Sequence, residues 1–363
     1  MLISTYGMLV DAYRELNHKK LFWISLIVSA VVVAAIAIVG INEKGLTFLH
    51  WQLDSPEFST LIFSKGSFYK WVFVTLGIKL WLAWAATILA LVSTASIFPD
   101  FLTGGAIDLW LSKPISRLRL FLTKYAFGLL FVALQVTVFT SLCWLVLGLR
   151  GGVWEPRIFL AIPIVLCFFS YLFAFSTLFG VVTRSTIAAL LLTVGVWFML
   201  FLVNSAEGGI NAFLKNAESQ LVNTGKRIAI QEKRPTPNES RLAQLREEQE
   251  SWESAVGRLR TWHSIFYNIK TVVPKTDETI ELLDRKLIDL SDVPGMNYEA
   301  PEPIVEDDTV ERRRRPGEFS PEAQIAVLEE RRSRSVGWII GTSMGFQALV
   351  LALAAWVFCR RDY

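Results

Sequence analysis

The sequence predicts an all-α polytopic membrane protein. It should have six transmembrane helices, an N-terminal interfacial helix, and a helical extracytoplasmic insert between helices five and six. Three observations predict it. Of 363 residues, 53% are hydrophobic and only 19% charged, with a mean hydropathy of +0.42, which excludes a disordered chain and argues against a soluble enzyme. Six apolar runs each reach the ~20 residues that a helix needs to cross a bilayer core. The charge is also segregated, since residues 204–334 hold 20 of the 36 Lys and Arg and 24 of the 33 Asp and Glu.

The six runs are roughly Leu21–Ile41, Trp71–Ala95, Leu120–Leu147, Ile158–Val182, Thr186–Val203 and Val336–Phe358. Only Thr183, Arg184 and Ser185 part the fourth from the fifth. We read them as two helices joined by a tight turn, because one helix of that length would overrun the bilayer. The first run follows Lys19 and Lys20 but is longer than a signal-peptide core, so it reads as an uncleaved anchor. Before it, Tyr6, Leu9, Val10, Tyr13 and Leu16 recur at steps of three and four, the pattern of an amphipathic helix lying in the interface.

Basic residues in the short loops set the expected orientation. Ten collect on one side (Arg14, Lys19, Lys20, Lys113, Arg117, Arg119, Lys124, Arg184, Arg360, Arg361) and five on the other (Lys44, Lys65, Lys70, Arg150, Arg157). The positive-inside rule then puts both termini in the cytoplasm and the insert outside. The domain plan is residues 1–203 as helices one to five with a cytoplasmic loop at 97–120, residues 204–335 as the insert, and residues 336–363 as the sixth helix and its tail.

Within the insert, Leu242, Leu245, Trp252, Val256, Leu259 and Trp262 follow steps of 3, 7, 4, 3 and 3, close to a coiled-coil seam. Ile210, Phe213, Leu214, Ala217, Leu221 and Ile228 form a second amphipathic stretch, and Pro235 and Pro237 separate the two. An antiparallel helical hairpin follows. Residues 291–320, rich in Pro, Asp and Glu, are expected to be disordered.

The loop from Ile97 to Leu120 carries the functional signal. Pro99 can open a helix, with Asp100 in the first turn where the helix dipole favours an anion. Leu102, Ile107, Leu109, Trp110 and Leu111 give it an apolar surface, and Lys113-Pro114 stops it. Spacing alone leaves two readings open, a docking element for a soluble partner and an interfacial helix that covers the bundle.

Gly105-Ala106-Ile107-Asp108-Leu109-Trp110-Leu111-Ser112-Lys113-Pro114-Ile115-Ser116-Arg117, with Lys124 seven residues on, resembles the signature of ABC-2 type transporter permeases. In that family a glycine and a leucine pair precede Pro-Val/Ile-Ser-Arg and a later Gly-Lys; here Thr123 stands where the second glycine is usual. The ending Phe358-Cys359-Arg360-Arg361-Asp362-Tyr363 is similar to the family's Phe-x-Arg-Arg-Asp. Val273-Pro274-Lys275 resembles a segment that precedes the last span. Among these permeases the chain looks closest to the multicopper-enzyme-maturation type.

The resemblance implies that residues 98–112 form a coupling helix seated in a separate P-loop ATPase subunit, where ATP and Mg would be bound. It implies a second permease copy as partner, a bacterial inner (cytoplasmic) membrane location, and Pro99, Asp100, Gly105, Asp108, Leu109, Lys113, Pro114 and Arg117 as ATPase-coupling residues. Membrane lipid surrounds such a chain, and an envelope protein is a candidate partner for the insert.

The chain itself has no GxxxxGK[ST] phosphate loop. Its three histidines (His18, His50, His263) and three cysteines (Cys143, Cys167, Cys359) are scattered, so no metal site, disulfide framework or catalytic centre is legible, and no enzyme, bound cofactor or nucleic-acid partner is expected. Lys79 is the clear charge inside a span and stands as a possible substrate-path residue, against a structural role. Gln135 and Gln347 are expected to hydrogen-bond across helices. Two functions remain: a permease of an ATP-driven exporter, and an ATPase-linked membrane anchor whose insert grips an envelope protein without transport.

Overall fold

A computed structural model describes residues 20–48, 51–54, 59–60, 64–103, 116–287 and 320–361. The chain is a predominantly helical membrane protein, and the described residues include five helices long and apolar enough to cross a bilayer: Lys65–Leu102, Arg117–Gly151, Pro156–Thr183, Thr186–Glu232 and Val336–Arg360. The predicted interfacial helix at 2–17 and most of the stretch predicted to be disordered lie outside the described residues. The chain divides into two compact units, one drawn from Met1–Phe198, Thr276–Glu299 and Ser343–Tyr363, the other from Met199–Lys275 and Ala300–Thr342.

The first unit is the bundle. Its opening helix, α1 (Lys20–Ile38), differs from the sequence reading. The apolar run was expected to extend to Ile41, whereas the described helix ends at Ile38, and Phe22–Ile38 is a shorter apolar helix than the other five. The chain turns instead into a three-stranded antiparallel meander, β1 (Val39–Asn42), β2 (Gly45–Phe48) and β3 (Trp51–Asp54). Asn42 makes that turn: its Oδ1 accepts from the N–H groups of Lys44 and Gly45, both at 2.9 Å, and Gly45 sits at φ 143°, where a side chain would be strained. This small sheet is an addition to a chain that is otherwise helical, in keeping with the all-α expectation.

The second span is a composite. Ser64 caps α2 (Lys65–Val72) by accepting from the Ser67 N–H, and a π-helical stretch follows over Phe73–Ala86. The chain returns to α-helix in α3 (Thr87–Thr94) and, after a turn at Ala95 and Ser96, α4 (Ile97–Thr103). Next comes α5 (Arg117–Gly151), opened by the Ser116 side chain accepting from the Arg119 N–H and closed by left-handed Gly152. A short 3-10 turn leads into α6 (Ala161–Thr183). Arg184 then takes a left-handed conformation, φ 54°, and its N–H bonds back to the Gly180 carbonyl. That turn separates α6 from α7 (Thr186–Glu232), so the fourth and fifth apolar runs are two helices, as expected.

The bundle core is aromatic. Phe98, Phe121, Phe131, Phe139, Phe169, Phe173 and Phe358 are each at most 2% exposed. Gly128 lets α5 approach α6, since a Cβ there would lie 2.4 Å from Phe173 Cζ. Gly128→Val is therefore expected to overpack the core and cost about 1–3 kcal/mol. Thermal unfolding in detergent measures this, and Phe173→Leu in the same chain should recover part of the loss. An amphipathic helix, α9 (Thr276–Leu287), packs Ile280, Leu283 and Leu287 into the same core.

The second unit is a helical hairpin with one added helix. α8 (Glu239–Val272) starts at Asn238, whose side chain accepts from the Arg241 N–H. Leu214, Ala217 and Val256 pack together with Leu221, Trp252 and Leu259. Further out, Ile228 meets Leu242 and Leu245. Ascending numbers on α7 meet descending numbers on α8, so the two are antiparallel. Arg260–Glu218 and Arg246–Glu232, each 2.9 Å, tie the edges. The predicted stripe holds from Leu242 to Leu259, but Trp262 departs from it and is 55% exposed. α10 (Pro321–Ser333) joins through Lys215–Glu330 at 3.3 Å and Ser320 Oγ with Ser219 Oγ at 3.0 Å. The last helix, α11 (Val336–Arg360), carries the sixth apolar run.

Candidate functional site

The predicted coupling segment begins on α4. Its apolar side is set by Ile97, Phe98, Phe101 and Leu102, all buried. Phe101 stacks on Phe358 of α11 with ring centroids 6.3 Å apart, and Lys124 Nζ lies 5.4 Å from the Phe101 ring centroid. Pro99 falls in the first turn, where its missing N–H leaves no intrahelical bond unmade, and Gly180 leaves room for its ring. Asp100 sits in the same turn and is exposed. Helix α4 starts two residues before Pro99, at Ile97. Gly105, Asp108, Leu109, Lys113 and Pro114 lie outside the described residues.

Arg117 stands at the first position of α5. Its Nη1 donates to the carbonyls of Cys359 (3.1 Å) and Arg361 (2.9 Å). Arg361 in turn donates from Nη1 to the Val181 (2.7 Å) and Val182 (3.1 Å) carbonyls. The logic is that of helix ends. The last carbonyls of α11 and α6 have no intrahelical partner and carry partial negative charge, so guanidinium groups both satisfy and stabilise them. The two segments that carry the family resemblance thus meet: residues 242 and 244 positions apart are bonded by one guanidinium.

Lys79 lies on the π-helical stretch and pairs with Asp284 of α9 at 2.5 Å. Its side chain is 45% exposed. The pair supplies the partner that a charge in a span requires, and it pins the amphipathic α9 to the second span. Gln347 bridges α5 and α6 as expected, with Nε2 donating to Tyr125 Oη and Oε1 accepting from Ser170 Oγ, both 2.9 Å. Gln135 does not bond across helices through its amide nitrogen: Nε2 is buried without a hydrogen-bond partner among the described residues.

Sequence reasoning missed the most concentrated charge in the second unit. Glu207 on α7 is 3% exposed and gathers Lys270 Nζ at 2.6 Å, Arg334 Nη2 at 3.0 Å and His263 Nε2 at 3.3 Å. Arg334 also faces the Tyr267 and Trp338 rings. Burial by itself would raise the Glu207 carboxyl, but the Lys270 ammonium and the Arg334 guanidinium overrule it and hold the group down at about 2. One signal could have found it: Glu207 is the first charged residue after the apolar run of α7.

A comparison with protein-family models, curated proteins and solved structures finds no match for this chain.

Proposed function

We propose that this chain is the membrane permease subunit of an ATP-driven ABC-2 type exporter. In this reading it sits in a bacterial inner membrane with both termini cytoplasmic and its insert outside, and works as a homodimer or with a related chain. ATP and Mg are bound and turned over in a separate P-loop ATPase, which seats against α4 and the loop that follows it. Closure of the ATPase pushes that segment and opens a path for substrate.

The observation that carries the reading is the Arg117 bridge. A push on a helix end moves spans only if the end is tied to them. Arg117 ties the far side of the loop to the end of α11, and Arg361 ties that end to α6. Exposed Asp100 stands beside this tied assembly as a surface a partner can reach.

A second reading keeps the ATPase and drops transport, with the insert gripping an envelope protein. It is favoured by α8, which leaves Trp262, Ile265, Ile269 and Val272 at 44–63% exposure at near-helical spacing.

Affinity purification of the tagged protein in detergent tests the coupling. An ATPase of the P-loop class should co-purify with wild type and be lost from an Asp100→Lys, Asp108→Arg chain. Arg117 is kept intact because it closes helix ends. No ATPase with wild type, or an ATPase retained by the variant, would sink the assignment of the 97–120 loop.

A further inference from the structure

Inside the bundle, residues of α1, the π-helical stretch, α3, α5 and α6 line a small, partly open cavity that leaves about 10 Å³ for the centre of a water-sized sphere. Most of its wall is apolar, with Leu82, Ala86, Val132, Val136 and Val165. Four side chains are not: Ser25, Ser29, Thr87 and Gln135, which are 1%, 4%, 3% and 6% exposed.

Their hydrogen bonds leave a defined remainder. Trp81 Nε1 donates to Ser29 Oγ at 3.2 Å, so the Ser29 hydroxyl proton is free to be given elsewhere. Thr87 donates its proton to the Leu82 carbonyl at 2.7 Å, which leaves its oxygen lone pairs as acceptors. Gln135 Nε2 carries two protons and has no protein partner. A donor held inside a membrane bundle cannot turn to bulk water, so its partner has to be a group held in the same cavity. The walls therefore offer donors from α5 and α1 and an acceptor at the junction of the π-helical stretch with α3, around a space for about one water.

We propose that this cavity is a resident water site. One water accepts from Gln135 Nε2 and Ser29 Oγ and donates to Thr87 Oγ. It joins three helices where the second span abandons α-helical geometry, a place where π-helical turns are often associated with function. The inference is independent of any transport role.

X-ray hydroxyl-radical footprinting of the full chain in lipid nanodiscs tests it, because a bound water makes radicals where it sits and oxidises the side chains it touches. Val132 and Val136 are 4% and 3% exposed, and Leu172 at 0% serves as a buried reference outside the cavity wall. In wild type the two valines should be oxidised several-fold faster than Leu172. In Gln135→Leu that excess should vanish. Because Gln135→Leu could misfold, Thr87→Val is run beside it, each checked for a monodisperse elution profile, and it should also reduce the excess. Valines as silent as Leu172 in wild type would show a dry cavity and overturn the proposal. An excess that survives in both folded variants would overturn it equally, since the water would then owe nothing to these groups.

Discussion

Glu207→Gln is expected to be the most damaging single substitution in the helical hairpin unit. The variant keeps the shape of the side chain and removes its charge. Lys270, 7% exposed, then loses its close carboxylate, and Arg334, 9% exposed, exchanges its 3.0 Å contact with Glu207 for the longer 3.5 Å one to Glu330. Breaking a buried ion pair from one side costs about 3–5 kcal/mol, because the stranded charges can no longer be solvated. The lowered pKa of Glu207 gives a similar size. Its carboxyl falls from 4.5 to about 2 on folding, and each pKa unit is worth about 1.4 kcal/mol, which makes the whole roughly 3–4 kcal/mol.

The sign fixes the pH window. A depressed carboxylate stabilises fully above its unfolded value near 4.5, and the contribution is lost as pH falls toward about 2. Thermal unfolding in detergent should be flat around neutrality for this term, with a decline below about pH 4.5. The Gln variant should start lower at neutral pH and decline less steeply in acid. Some slope remains, because Glu330, lowered by Lys215 against its own burial, titrates in the same direction. Adding Lys270→Met to Glu207→Gln should restore part of the loss by removing one stranded cation. A Gln variant as stable as wild type at neutral pH would show that the cluster is solvated and contributes little.

How much of this was readable beforehand depends on the range of the interaction. Apolar runs announce spans locally, and the Thr183–Ser185 interruption was enough to place the turn at Arg184. The hairpin stripe was readable until geometry outran it. Each step of three residues turns a helix by about 60° short of a full circle. The successive steps from Val256 to Leu259 to Trp262 therefore carry Trp262 off the seam and into solvent.

The meander was hidden because Val39 and Ile41 continue the composition of the first apolar run. Only Asn42 and Gly45 mark the turn, and they mark it through backbone conformation. The π-helical stretch has no compositional sign at all. The Glu207 cluster joins residues 56 to 127 positions apart within the most charge-dense part of the chain, where no spacing rule singles them out. Of the candidate coupling site, Pro99, Asp100 and Arg117 can be located. Arg117 is engaged with the chain's own helix ends, which spacing could not reveal because its partners are carbonyls near the C-terminus.

That engagement makes a second large effect predictable. Arg117→Ala should lower the stability of the isolated protein, with no partner present, by about 1.5–3 kcal/mol, the range for hydrogen bonds to a charged group. The lower half is the better expectation, because the side chain is only partly buried. Arg117→Lys should recover a fraction. It keeps a cation near the negative ends of the helices but loses the rigid fork that reaches two carbonyls at once. Asp100→Lys is the contrasting variant. Asp100 is exposed in the first turn of α4, and reversing its charge there costs about 1 kcal/mol or less through the helix dipole. Unfolding temperature and ATPase capture, measured on the same preparations, then separate two roles that sequence alone merges. If Arg117 only touches a partner, its loss abolishes capture and leaves the unfolding temperature unchanged. If it ties the loop to the end of α11, the unfolding temperature falls first, and capture falls with it because the surface is no longer held in place. Asp100→Lys should show the reverse pattern, with capture lost and stability nearly kept. The Cys359 and Arg361 carbonyls that accept from Arg117 both belong to this chain, so a fall in unfolding temperature is the expected result for Arg117→Ala.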